Sequence, residues 1–188
     1  MDGSSLIALA QSVLAGMFAA ALAQSAAAKA MKGTEWLQAL AAYRLLPDWA
    51  LPGAAAAIPA AEAATAAVLL GLGVFQIVGF GASAFLMILF AGAIALNLLR
   101  GRRHIKCGCS LSDDGETISW KLVMRNVAFA GVALIALAFD ARFAHHHAEA
   151  GHIMGLFAGA LVLVLVRILA LVQQPRAARH SHPVSGVR

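Results

Sequence analysis

Cys107 and Cys109 are the only cysteines in the chain, and Gly108 alone separates them. They lie in Arg100–Asn126, the most polar and most charged stretch of an otherwise apolar sequence. Three readings apply to such a pair. Two unpaired thiols can be inert, because cysteine is often buried as a small hydrophobe. Two thiolates can hold a soft ion such as Cu(I), Zn(II) or Hg(II), with His104 nearby as a further donor. Or the two can cycle between dithiol and disulfide. A disulfide across one residue is tight, since its two Cα atoms must approach through an unusual turn. Gly108 removes the Cβ penalty at that turn. Strained disulfides are easily reduced and tend to be catalytic. Arg102, Arg103, His104 and Lys106 supply the positive surroundings that favour a thiolate. Spacing, glycine and charge agree best on the redox pair, with Cys107 and Cys109 as the reacting groups.

The elements that must hold this loop are membrane helices. Of 188 residues, 61% are hydrophobic and 12% charged, against about half apolar and a quarter charged in soluble domains. Mean hydropathy is +0.81. The formal charge of +5 does not suggest nucleic acid, because the basic residues border apolar runs, as membrane topology requires. The expected fold is all-α: a polytopic membrane bundle with a four-helix core and an appended fifth span. It forms one domain over residues 1–172, with helices at about 5–28, 52–72, 78–99, 120–140 and 152–172, since a crossing needs about 20 apolar residues. The cysteine loop occupies 100–119, and 173–188 is expected to be a disordered polar tail. Ala21-Leu22-Ala23 resembles a signal-peptide cleavage site, but the start lacks the basic residues of a signal, so the first run is expected to stay as a helix. Residues 29–49 read as a short amphipathic helix in the interface, broken by Pro47 and Pro52. Gly71, Gly73, Gly79 and Gly81 suggest a tight turn between the second and third spans. Pro59 is expected to kink the second or mark its start.

Glu62 is the single acid inside these apolar runs. A carboxylate at membrane depth has a partner or a job: it either snorkels or bonds a neighbour near the interface, or faces the bundle. Gln76 and Asn97 read as interhelical hydrogen bonders. Trp120, Arg125 and Asn126 open the fourth span. Interface anchoring is the plain role for them, and a position of Arg125 facing the cysteines or a bound quinone is the sharper one. His145, His146, His147 and His152 lack a standard ligand spacing, so no metal site is assigned. There is no phosphate-binding or dinucleotide fingerprint and no hydrolase motif. With five spans, thirteen of the fourteen Lys and Arg residues fall on one side and only Arg142 on the other. The positive-inside rule then places the amino terminus outside, with the carboxyl terminus and cysteine loop cytoplasmic.

At Arg100-Gly-Arg-Arg103, Cys107-Gly-Cys109 and Ile118-Ser-Trp-Lys-Leu-Val-Met-Arg-Asn126 the chain resembles the methylamine-utilisation MauE family of bacterial inner-membrane proteins, relatives of DoxX. Leu45-Leu46-Pro47 and Pro59-Ala-Ala-Glu62 also resemble that family's pattern. The likeness covers most of residues 5–140. It departs after Cys109, where Ser110-Leu111 and an acidic insert replace the Phe-Gly often found there. The resemblance implies an inner-membrane protein that supports maturation of the disulfide-rich small subunit of methylamine dehydrogenase, together with a thioredoxin-like MauD partner. Its implied partners are lipid, that redox protein and an exported client. A membrane quinone is the candidate electron acceptor, and no other cofactor is expected. A soft-metal carrier is the main rival, and a purely structural subunit is a third reading. Disulfides form outside the cytoplasm, whereas the charge count puts the cysteines inside. The two expectations pull apart unless electrons cross the membrane.

Overall fold

The structure, a computed structural model, describes residues 3–71, 74–105, 117–143, 153–161 and 164–165. Its elements are α1 (Gly3–Met31), α2 (Gly33–Tyr43), a 3-10 turn (Asp48–Ala50), α3 (Leu51–Leu69), α4 (Val74–Leu99) and α5 (Trp120–Phe143). Residues 153–161 are also helical. No β-strand occurs among the described residues, and the all-α membrane bundle expected from composition is the fold observed. Among the described residues, four helical segments are long and apolar enough to cross a membrane: Leu6–Met31, Asp48–Leu69, Phe75–Leu99 and Trp120–Phe139. The chain is thus a multi-pass membrane protein. Of the fifth span expected at 152–172, residues 153–161 and 164–165 are helical and the remainder lies outside the described residues, as does the tail at 173–188.

The helix boundaries move in instructive ways. The first helix runs on to Met31 instead of stopping near residue 28, so Lys29 belongs to the first membrane helix and not to the interfacial helix expected over 29–49. Alanine, the strongest helix former, carries the chain through this end. Pro59 neither starts nor stops α3, which begins at Leu51 with Pro52 in its first turn, where a missing N–H costs nothing. Of the four glycines taken as a turn, Gly79 and Gly81 lie inside α4. Gly79 has a packing role there: a Cβ would come within 2.8 Å of the Leu69 side chain, so α3 and α4 pack closely just beyond the turn.

The most extensive pairing is α4 with α5, followed by α1 with α3 and α3 with α4. One core cluster joins Phe18, Leu22, Leu69 and Phe80, and Phe18 meets Phe80 and Phe129 edge-on. A second cluster, at the end of the bundle that carries the cysteine loop, contains Tyr43, Ile94, Leu98, Ile118, Leu122 and Val123. In between, α2 is folded against the bundle. Trp36 and Tyr43 are seven residues apart, two helical turns on one face, and both are buried. The Trp36 Nε1–H donates to the Ala55 carbonyl oxygen of α3 at 3.0 Å. The helix ends as Arg44 takes a left-handed conformation, with its N–H donating to Ala41 O.

Candidate functional site

Cys107, Gly108, Cys109 and Lys106 lie outside the described residues, and so do the histidines at 145–147 and 152. The two stems of the cysteine loop are described, and they are joined. The Ile118 N–H donates to the Ile105 carbonyl oxygen at 2.9 Å. Ile118 is buried in the second core cluster, and Ile105 packs against that cluster. The Arg102 N–H donates to the Asn97 carbonyl oxygen at 3.0 Å, continuing the end of α4 into the stem. Ile105 and Ile118, on either side of the segment 106–116, therefore lie together at the end of the α4–α5 pair.

The three described basic residues beside the cysteines are not equivalent. Arg103 and His104 are exposed, whereas Arg102 is half-buried and its Nη1 is fully covered, with no hydrogen-bond partner among the described residues. Trp120 and Arg125 point outward from the bundle, while Asn126 is buried. An outward Trp and Arg at the head of a span suit the anchoring role, since both side chains favour the headgroup zone. Among the described residues, Asn97 and Gln76 do not make the interhelical bonds expected of them. The Asn97 Nδ2–H donates within its own helix, to Ala93 O at 3.1 Å, and Asn97 Oδ1 is buried without a partner. Both amide atoms of Gln76 are likewise buried and unpartnered.

Glu62 is where the bundle concentrates charge. It is 0% exposed, and its partner Lys29 is 1% exposed. The Lys29 Nζ donates to Glu62 Oε1 at 2.6 Å and to Ser25 Oγ at 2.7 Å, and the Ser25 hydroxyl donates to the same carboxylate oxygen at 3.1 Å. The ammonium also lies 5.3 Å from the Trp36 ring centroid and 5.2 Å from that of Phe90, a cation–π arrangement on two sides. Thus α1 and α3 are bonded to each other, and α2 and α4 close over the charge. Phe90 is nine residues before the end of α4, so the pair lies about 14 Å down from the loop end at 1.5 Å per residue. Glu62 Oε2 has no hydrogen-bond partner among the described residues. Glu62 faces the bundle interior, and its partner is a residue the sequence pattern had put in the interfacial helix. Ser25 four residues before Lys29, on one helix face, was the signal available for it. Among the described residues no group of three or more metal-ligating side chains forms.

Two outcomes follow. Breaking a buried ion pair from one side strands the other charge, at a cost of about 3–5 kcal/mol, whereas exchanging both partners for apolar groups is often neutral. Lys29→Met or Glu62→Gln alone should therefore lower the yield and thermal midpoint of detergent-purified protein, and Lys29→Met/Glu62→Leu should recover most of both. A double variant no better than the singles would refute a purely pairing role. Separately, Tyr43 fills the cluster under the loop stems. Tyr43→Ala should raise the alkylation rate of Cys107 and Cys109 several-fold, and Tyr43→Phe should leave it near wild type, as read by mass shift with a maleimide reagent.

A family model described as "Methylamine utilisation protein MauE" matches residues 5–139. The chain is 37% identical over 126 residues to "Methylamine utilization protein MauE" of Paracoccus denitrificans, an alignment spanning 65% of each protein. It is 36% identical over 149 residues to the protein of the same name from Paracoccus versutus, spanning 79% of each. Identity to the Methylophilus methylotrophus protein is 31% over 160 residues, or 84% of this chain and 83% of that one. No solved structure matches.

Proposed function

The chain belongs to the MauE family, and from that membership we propose that it supports thiol–disulfide exchange during maturation of an exported protein, in methylamine utilisation as the relatives' names indicate. Cys107 and Cys109 are the exchanging pair. The observation that carries this reading is the joined stem: the segment holding both cysteines is closed by the Ile105–Ile118 hydrogen bond onto a buried cluster at one end of two packed helices. Such a mounting presents a short reactive loop at a membrane surface while its base stays rigid.

In the exchange, a thiolate of the protein being oxidised attacks one sulfur of the Cys107–Cys109 disulfide, forming a mixed disulfide and releasing the other cysteine as a thiolate. That protein's second thiolate then attacks the mixed disulfide. It leaves with a new disulfide, and Cys107 and Cys109 are left as a dithiol carrying two more electrons and two more protons. With the loop on the cytoplasmic side the protein oxidised there is a dithiol relay that brings the exported client's electrons across the membrane; with the loop outside it is the client itself. Re-oxidation passes those electrons to a thioredoxin-like partner of the MauD type or to a membrane quinone. The basic stem, with Arg102 half-buried and Arg103 and His104 exposed, favours the thiolate form that attack and departure both require. The location proposed is the bacterial inner membrane.

Cys107→Ser and Cys109→Ser should each abolish disulfide formation in the client, scored by alkylation mass shift, without reducing the amount of protein in the membrane. Normal client maturation with both cysteines replaced would sink the redox reading. Stoichiometric binding of Cu(I) or Zn(II) by the dithiol, with no redox cycling, would support the carrier instead. Orientation is testable by itself. Lys29 is buried and neutralised by Glu62, so it no longer counts toward the charge bias, which falls from thirteen basic residues to twelve against Arg142. The bias still predicts an external amino terminus and a cytoplasmic loop and carboxyl terminus. Reporter fusions after Asp114 and after Arg188 should both be active only with a cytoplasmic reporter. An active external reporter at Asp114 would reverse the orientation and make the loop a direct periplasmic oxidant.

A further inference from the structure

Pro59, inside α3, leaves one carbonyl of that helix without its usual donor. In an α-helix the N–H of residue 59 would donate to the carbonyl oxygen of Ala55, four residues back. Proline has no N–H, and its ring pushes against that same carbonyl. The Ala55 oxygen is nevertheless bonded: the Trp36 indole N–H of α2 donates to it at 3.0 Å. Ala55, Pro59 and Glu62 stand at i, i+4 and i+7, on one face of α3, and Glu62 turns into the bundle from that face. The proline removes a donor and the tryptophan of another helix supplies one.

Two side chains seat α2 on the bundle, since Trp36 and Tyr43 are its buried residues. Its joint to α1 is a single residue: α1 ends at Met31, α2 starts at Gly33, and Lys32 between them has φ −106° and ψ 42°. Helical bonding reaches the joint from both sides. The Lys32 N–H donates to Ala28 O at 3.1 Å, and the Trp36 N–H donates to Lys32 O at 2.8 Å. A Cβ on Gly33 would meet nothing within 4 Å, so no tight packing at that residue braces the joint. Helical angles at Lys32 alone would set α2 in line with α1 and carry Trp36 away from α3.

We infer that α2 is a hinged strap, turning at Lys32 and fastened by Trp36 to the carbonyl that Pro59 frees. Fastened, it covers two places at once. The Trp36 ring caps the Lys29 ammonium at 5.3 Å, and Tyr43 sits with Ile118 and Leu122 in the cluster beneath the loop stems. Released, it uncovers the buried cation and opens that cluster together. The fastening suits release, because an indole N–H on a neutral carbonyl is one ordinary hydrogen bond, worth roughly a two- to tenfold shift in an equilibrium. The strap thereby links the cover of the Lys29–Glu62 pair to the footing of the segment that follows α4.

The test uses Ala39→Cys as a probe, in the full chain carrying Cys107→Ser and Cys109→Ser. Ala39 lies between Trp36 and Tyr43 on the same face of α2 and is half-buried. Its labelling rate with a maleimide, in membranes, reads release of the strap. Trp36→Phe keeps a ring beside Lys29 but removes the N–H, and should raise the rate several-fold. Pro59→Ala returns the helical donor to the Ala55 oxygen and relaxes that carbonyl away from Trp36, and should raise the rate to a similar degree. Both substitutions act on one bond, so the double variant should label no faster than the faster single. Ala84→Cys, buried in the other core cluster, should stay protected throughout. An unchanged rate in Trp36→Phe, or two effects that multiply, overturns the strap. A parallel rise at Ala84→Cys, the mark of general loosening, overturns it too. None of these outcomes depends on the thiol chemistry of Cys107 and Cys109.

Discussion

The bundle depends on bringing a lysine and a glutamate together where no water can reach them. Each ion alone at that depth costs several kcal/mol, and the attraction between them offsets this only if geometry is tight and other groups complete the hydrogen bonding. Lys29 and Glu62 meet at 2.6 Å, Ser25 bridges them, and two aromatic rings face the ammonium. These demands fix the rotation and the depth of α1 against α3. Both helices are rich in alanine, and alanine surfaces specify register weakly because each can slide past the next. A single charged pair supplies the register that such smooth surfaces lack.

The same pair explains why α2 is folded in against the bundle, where the sequence pattern had it resting in the interface. Its Trp36 covers the ammonium and bonds to Ala55 of α3, and two turns later its Tyr43 reaches the cluster beneath the loop stems. One short helix thus touches both the buried charge and the base of the reactive segment. Each contact uses a ring that is large enough to span the gap and carries a polar edge.

Much of this was readable from residue types. The long apolar runs gave the membrane bundle, and the isolated acid in the second run pointed to Glu62. The cysteine spacing and the Ser-Trp…Arg-Asn pattern pointed to the family. What pattern could not supply was the identity of the partner. Lys29 stands at the border of an apolar run, and a lysine there usually snorkels to the headgroups. Only the extra turn of α1 carries it inward. Gly79 was misread for a similar reason: glycine serves both turns and close helix contacts, and the sequence does not say which. Asn97 and Gln76 were assigned interhelical bonds on polarity alone. Asn97 instead caps the carbonyl one turn back, an option open to any side-chain amide in a helix.

The separation of Lys29 and Glu62 along the chain bears on how the protein is made. The two charges are 33 residues apart along the chain. At a synthesis rate of about 5–20 residues per second, Lys29 leaves the ribosome roughly two to seven seconds before its counter-ion. During that interval α1 can hold its lysine at the headgroup level, because the residue is only two positions from the helix end at Met31. The arrival of α3 then lets the lysine move inward as a neutral pair, and α1 and α3 are committed to each other before α4 is complete. Insertion of this protein accordingly proceeds by hairpins, with the ionic bond acting as the latch of the first one.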